Sequence, residues 1–176
     1  MATSTPAPPD PSESPAASPR EETLVTVAAQ VAAIDTLIGL AQRTIRVFDV
    51  DLSGMGWNDA ARAERIVAFL RARRSSRLEI IVHDTGWIER SCPRVSNLLK
   101  YYSHTVVILR TGEEAKHAMD PLVIVDDAHF LHRFHIAQPR AEFAIDAPHA
   151  AKPLIDRFEA IRASAVPGLS ASVLGL

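Results

Sequence analysis

The sequence predicts an α/β fold in which a mixed, mostly parallel β-sheet is sandwiched between helices. Segments with helical spacing of apolar residues alternate with short apolar runs that are rich in β-branched residues. Nearly continuous apolar runs of this kind are typical of strands buried on both faces. With 176 residues, the chain is long enough for one domain with a substantial core.

The N-terminal segment is predicted to be disordered. Residues 1–20 contain six of the twelve prolines and no aromatic residue, so they offer too little apolar surface to offset the entropy of ordering. Residues 21–176 then form a single domain.

The overall composition sets limits on location and partners. The formal net charge of -2 gives no sign of a nucleic-acid or anionic-membrane partner. Cys92 is the only cysteine, which excludes an internal disulfide. The N-terminus has no basic region followed by an apolar core, and Gln30 and Asp35 interrupt the longest apolar stretch. We therefore expect a cytoplasmic protein without a membrane span.

The first half of the domain reads as helix, strand and helix. Apolar residues three or four apart predict an amphipathic helix over residues 24–41, begun near Glu21-Glu22. The β-rich run at 45–52 predicts a strand. Asn58 is then expected to cap a helix over residues 59–73.

The second half continues the alternation and adds a hairpin. Ser91 and Pro93 are expected to open a helix. The turn Asp126-Asp127-Ala128 is expected to join two antiparallel strands. The last helix is predicted over residues 148–165, and residues 170–176 either add an edge strand or pack on the domain. The predicted strands of this half are 78–82, 105–109, 122–125, 129–134 and 142–146.

A histidine precedes a buried strand that ends at a carboxylate: Lys116-His117-Ala118-Met119, then the apolar run 122–125, then Asp126. With the order of elements over residues 23–165, this pattern resembles one half of a phospholipase D-like protein. More narrowly, the chain resembles small bacterial single-domain proteins of unknown function that share this scaffold. The resemblance implies the motif His-x-Lys-(four residues)-Asp, in which histidine attacks phosphorus, lysine stabilises the phosphate oxygens and aspartate orients the imidazole.

The chain departs from that motif. On this resemblance His117 is the nucleophile and Asp126 its orienting partner, but Asp126 follows by nine residues rather than seven. Met119 occupies the position of the lysine, and Lys116 faces the other way on an extended segment. The resemblance therefore implies a degenerate, non-catalytic binding or scaffolding module without a cofactor. The alternative is a metal-independent phosphodiesterase that acts as a homodimer through His117.

A second alternative comes from Asp49-Val50-Asp51, which follows the strand-forming run. It resembles the first motif of haloacid dehalogenase-like phosphatases. That resemblance implies that Asp49 is the nucleophile, Asp51 the general acid and Lys116 the neutralising cation. Mg²⁺ would be bound by Asp49, Asp126 and Asp127. The helix before the first strand weighs against this assignment.

Further residues are candidates for ligand binding. Trp57 and Trp87 follow predicted strands, in loops over the strand ends where open α/β sheets bind ligands. His132 and Arg133 lie close to where the phospholipase D-like motif continues. Four arginines also cluster after the second helix, where they complement the helix dipole: Arg71, Arg73, Arg74 and Arg77. No aromatic residue is interleaved with them in the sequence.

Overall fold

The computed structural model describes residues 20–170. Residues 1–19 of the predicted disordered segment 1–20, and residues 171–176 of the predicted C-terminal segment 170–176, lie outside the described residues. The elements, in chain order, are β1 (Arg20–Leu24), α1 (Val27–Leu40), β2 (Thr44–Asp49), α2 (Ala60–Ala72), β3 (Arg77–Val82), α3 (Gly86–Ser91), α4 (Pro93–Tyr101), β4 (Val106–Arg110), a 3-10 turn (Glu113–Ala115), β5 (Leu122–Val125), β6 (His129–Arg133), β7 (Ala141–Ile145), α5 (Pro148–Ala163) and β8 (Val166–Leu169).

The strands form one mixed sheet in the order β1-β7-β6-β5-β2-β3-β4-β8. The predicted α/β class with a mixed sheet is confirmed. The expectation that most strands are parallel is wrong, because only β2–β3 and β3–β4 pair in parallel and the five other pairings are antiparallel. Apolar patterning reports that a strand is buried but not its direction, which explains the error.

Helices cover both faces of the sheet, as predicted. Alternate residues of β2 point to opposite faces. Val47 belongs to a core cluster with residues of α1, α2 and α4. Phe48 belongs to a second cluster with Phe158 of α5. The two faces are called the α1 face and the α5 face below.

Four local features differ from the sequence-based expectations, and one of them is the edge strand β8, which pairs with β4 where no strand was predicted. Residues 20–24 form a strand that pairs with β7 instead of starting the first helix, and Thr26 caps α1 by accepting the Ala29 N–H at 3.2 Å. Asp59, not Asn58, caps α2 by accepting the Arg62 N–H at 2.9 Å. The additional short helix α3 precedes the helix that begins at Pro93.

The hairpin between β5 and β6 is confirmed. Asp126 and Asp127 both have positive φ values, 51° and 59°, which aspartate tolerates better than most residues. The Ala128 N–H closes the turn on the Val125 carbonyl at 3.2 Å.

Within residues 20–170, the longest helices fall short of the length and apolar character that crossing a bilayer requires.

Candidate functional site

The candidate site lies at the edge of the sheet where the parallel strands β2, β3 and β4 end. The antiparallel strand β5 begins at this edge and β6 ends there, because Leu122 pairs with both Phe48 and His132. Polar residues that follow or end these strands therefore meet at one edge of the sheet, on one face or the other.

On the α1 face, a small cavity lies between α1 and the end of β2. Its lining includes Gln30, Asp49, Trp57 and Arg133. Its volume of about 20 Å³ has room for about one water molecule. Three of these side chains were predicted as site residues, and the structure brings them together from segments far apart in the chain.

Within residues 20–170, two side chains of this cavity carry buried polar atoms that find no hydrogen-bond partner. Gln30 is 0% exposed; its Nε2 donates to the Pro139 carbonyl at 2.8 Å, but its Oε1 is unpaired within these residues. Trp57 is 1% exposed, and its Nε1 is likewise unpaired within them. Both residues line the cavity, and buried polar atoms of this kind are normally satisfied by a protein group or by an ordered water molecule.

Asp49 is the acidic group of the cavity. It is 5% exposed, and its Oδ1 accepts the Val50 N–H at 2.6 Å. Burial raises the pKa of Asp49 to about 6, against the lowering effect of the Val50 hydrogen bond; Asp51 raises this pKa further and Arg133 lowers it. Asp49 can therefore change its protonation state in mildly acidic solution.

The connection between β6 and β7, residues 134–140, is bonded to the elements around the cavity. Its carbonyls at Gln138 and Pro139 accept hydrogen bonds from Arg133 Nε at 2.8 Å and from Gln30. The Ile136 N–H donates to the Met119 carbonyl at 2.7 Å. These bonds fix the Arg133 guanidinium beside the cavity.

His132 points to the α5 face, away from this cavity. There Arg157 of α5 donates two hydrogen bonds to Asp120, at 2.8 and 3.2 Å. His132 Nε2 lies 3.7 Å from Asp120 Oδ2, which is beyond hydrogen-bonding distance. Burial raises the pKa of Asp120, but His132 and Arg157 lower it by more, so this pKa lies well below its ordinary value.

The structure does not bring His117 and Asp126 together. His117 is exposed in the turn after Glu113–Ala115, beside Arg157 and Ser164. Asp126 lies at the other end of β5, and a strand of four residues spans about 13 Å. Its carboxylate accepts the N–H groups of Gln42, Arg43 and Thr44 at 2.7 to 2.8 Å. Asp126 thus fixes the connection between α1 and β2 and is not positioned to orient the imidazole.

The residues predicted for a phosphatase are divided between the two edges of the sheet. Asp49 and Asp51 lie at the carboxyl edge of β2, where Asp51 accepts the Ser53 N–H at 2.9 Å. Asp126 and Asp127 lie at the opposite edge, where Asp127 pairs with Arg46. Lys116 pairs with Glu113. The three carboxylates predicted to bind Mg²⁺ are therefore apart, and residues 20–170 contain no group of three or more His, Cys, Asp or Glu that could hold a metal ion.

The two tryptophans have different surroundings. Trp57 lines the cavity and lies under the guanidinium of Arg62, whose Cζ is 5.2 Å from the ring centroid. Trp87 is half-buried against the α1-face core at the start of α3 and does not line the cavity.

Gln30 was not predicted as a site residue. The signal was present, since this glutamine interrupts the apolar stretch that forms the buried side of α1. Asp120 was also missed; the sequence offers no indication that it meets Arg157 of α5.

The fold is that of phospholipase D-like proteins, as the solved structures show. Nuc from Salmonella typhimurium, described as a phospholipase D family member, is 14% identical with a TM-score of 0.58; the match covers 86% of this chain and 99% of Nuc. NucT from Helicobacter pylori is 12% identical with a TM-score of 0.52, covering 85% of this chain and 99% of NucT. TrmBL2, described as an archaeal chromatin protein, is 11% identical with a TM-score of 0.63; the match covers 89% of this chain but only 56% of TrmBL2.

The sequence itself identifies the family. Residues 26–169 match the family described as "Domain of unknown function (DUF7931)", and the chain belongs to this family. No curated protein matches the sequence at a significant level.

Proposed function

We propose that this phospholipase D-like domain is a binding module without phosphoryl-transfer activity. One observation carries the proposal. Asp126 directly follows β5, so the motif can also be aligned on this aspartate instead of on His117. Counted back from Asp126, the histidine of the motif belongs seven residues earlier, where the chain has Met119. Two residues further on, where the motif has its lysine, stands Pro121. A thioether and a pyrrolidine ring can neither attack phosphorus nor supply a cation to the phosphate oxygens.

The surroundings of Pro121, at the edge of the sheet where β2 ends, support the same conclusion. The cavity beside Pro121 has a volume of about 20 Å³, enough for a water molecule but far too small for a phosphodiester. It contains the carboxylate of Asp49, which repels an anionic substrate when ionised. The nearby cation, Arg133, donates to the Gln138 carbonyl.

The exposed imidazole of His117 is the remaining candidate nucleophile. Arg157 lines the same groove, but its guanidinium is bonded to Asp120 through two hydrogen bonds. Glu114 also lines this groove, but no hydrogen bond or ion pair joins His117 to an acid within residues 20–170. Nothing in this part of the chain therefore activates the imidazole as a nucleophile.

A binding role agrees with a relative of the same fold. TrmBL2 is described as a chromatin protein that shows a novel mode of DNA binding. That description concerns TrmBL2 alone, and it supports the view that this fold also serves for binding.

The proposal is tested by assaying bis(p-nitrophenyl) phosphate and p-nitrophenyl phosphate between pH 5 and 8, with and without Mg²⁺. We expect no turnover above the buffer rate under any of these conditions. Metal-independent cleavage of the diester that is lost in His117→Ala, but kept in the exposed control variant His104→Ala, would overturn the proposal in favour of a homodimeric phosphodiesterase. Mg²⁺-dependent turnover of the monoester that is lost in Asp49→Asn would overturn it in favour of a phosphatase.

A further inference from the structure

A surface groove lies between α2 and α4, outside the site described above. Its volume is about 530 Å³. The first turns of both helices line one end, with Ala60 and Arg94, and their last turns line the other, with Arg71 and Tyr101. A helix rises 1.5 Å per residue, so this groove is about 15 Å long.

An exposed aromatic ring stands at one end of this α2–α4 groove. Tyr101 is 67% exposed, more than any other large hydrophobic side chain among the described residues. Its neighbour Tyr102 is half-buried and accepts a hydrogen bond from Arg71 Nε at 2.9 Å. The Nζ of Lys100 lies 5.5 Å from the Tyr101 ring centroid. The ring is therefore exposed to a partner and has the cation of Lys100 beside it.

Arginines line the groove and continue beyond its end. Arg71 bonds to the Tyr102 hydroxyl, and Arg94 donates to the Asn58 carbonyl at 3.0 Å. The chain then leaves α2 into a loop that carries two further exposed arginines, Arg73 and Arg74.

Among residues 20–170, none of these four arginines forms an ion pair with a carboxylate. One acidic side chain, Glu64, lines the groove. This surface is therefore locally basic in a chain whose formal net charge is -2.

We propose that the α2–α4 groove binds single-stranded nucleic acid. Non-specific single-strand binding combines a basic groove that follows the phosphates with an aromatic ring on which a base stacks. Arg71, Arg73, Arg74 and Arg94 supply the first feature, and Tyr101 supplies the second. A narrow chain can enter a concave groove, whereas a flat membrane surface cannot. The inference goes beyond the proposed function, because none of the groove residues belongs to the candidate site at the edge of the sheet where β2, β3 and β4 end.

The test adds the full chain, at low salt, to a labelled single-stranded oligonucleotide of about 15 nucleotides and measures fluorescence anisotropy. The matching duplex serves as the comparison. We expect the single strand to bind more tightly than the duplex. Its affinity should fall with salt, with a log–log slope of about -0.7 for each phosphate contacted. Tyr101→Ala should weaken single-strand binding roughly 5- to 100-fold through the loss of stacking.

A pair of charge-matched variants locates the contact. Arg73→Gln/Arg74→Gln removes two exposed charges next to the groove, and Arg110→Gln/Lys116→Gln removes two exposed charges at the opposite edge of the sheet. We expect the first variant to lose about tenfold or more in affinity and to reduce the slope by about 1.4. The second should stay within about twofold of the unchanged protein.

Four results would overturn the inference: no binding of the single strand at low salt, equal losses in the two double variants, no effect of Tyr101→Ala, or displacement by poly-glutamate as effective as by unlabelled oligonucleotide. The last result would indicate an acidic protein partner. Circular dichroism of each variant shows whether it is folded.

Diester hydrolysis in the enzymatic assay would refute the proposed function and leave the groove binding unaffected, so the two failures are distinguishable.

Discussion

Replacing Asp49 with asparagine is expected to stabilise the protein at neutral pH and to change its stability little near pH 4. The substitution keeps an oxygen that accepts the Val50 N–H and removes only the buried charge. Burial raises the pKa of Asp49 from 3.8 to about 6 in the folded protein. Between these values the unfolded chain is ionised while the folded protein holds its proton, so the free energy of unfolding falls as the pH rises through this range.

The size of the effect follows from the same two values. Each pKa unit corresponds to 1.36 kcal/mol, so ionised Asp49 lowers the free energy of unfolding by about 3 kcal/mol above pH 6. This is an upper bound for Asp49→Asn, because the amide also needs a partner for its own N–H groups. A gain of about 1 to 3 kcal/mol at pH 7.5 is expected.

Urea denaturation followed by circular dichroism at pH 4, 5, 6 and 7.5 measures this difference directly. Asp156→Asn is the control, because Asp156 is an exposed acid of α5 whose ion-pair partner among the described residues is Lys152. The effect of this control on the free energy of unfolding should stay within about 0.5 kcal/mol. The reasoning fails if Asp49→Asn is less stable than the unchanged protein at pH 7.5. Attraction to Arg133 would then outweigh the cost of burying the charge.

Three further predictions use the same measurement. Asp126→Ala removes the acceptor of three backbone N–H groups and should cost about 2 to 4 kcal/mol; a loss below 1 kcal/mol would mean that this carboxylate does not fix the connection between α1 and β2. Because the pKa of Asp120 is lowered in the folded protein, its ionised form adds to the free energy of unfolding above pH 3.8, and this contribution is lost as the pH falls. Asp120→Asn should therefore make the free energy of unfolding fall less steeply below that pH, and an unchanged pH dependence would contradict this. Arg62 is 0% exposed and donates a hydrogen bond to Asp35 at 2.8 Å. Arg62→Gln should therefore lower the free energy of unfolding by about 3 to 5 kcal/mol. An unchanged free energy of unfolding would show that Asp35 is already solvated.

The order of elements could be read from the sequence because it depends on local patterns. The apolar run at Leu122–Val125 is short and bounded by turn-forming residues, and it forms a strand with the predicted bounds. The two aspartates after it tolerate the positive φ values of a tight turn, so the hairpin was predictable from those residues alone. Residues 20–24 were misjudged because Leu24 continues the helical spacing of α1, while pairing with β7 decides their actual conformation.

The composition of the site could be predicted only in part. Asp49, Trp57 and Arg133 were candidates individually, but the sequence could not show that they share a cavity with Gln30, or that His132 faces the opposite side of the sheet. Tyr101 is 30 positions after Arg71 in the sequence, and only the packing of α4 beside α2 places both in one groove.

Residue identity and short-range periodicity were enough to establish the α/β class, the succession of most helices and strands, and the absence of a lysine two residues after His117. Which side chains meet could be learned only from the folded chain. Strand direction, and with it the edge at which each strand ends, is set by pairing between distant segments, so Asp126 lies at the opposite edge from Asp49 and His117.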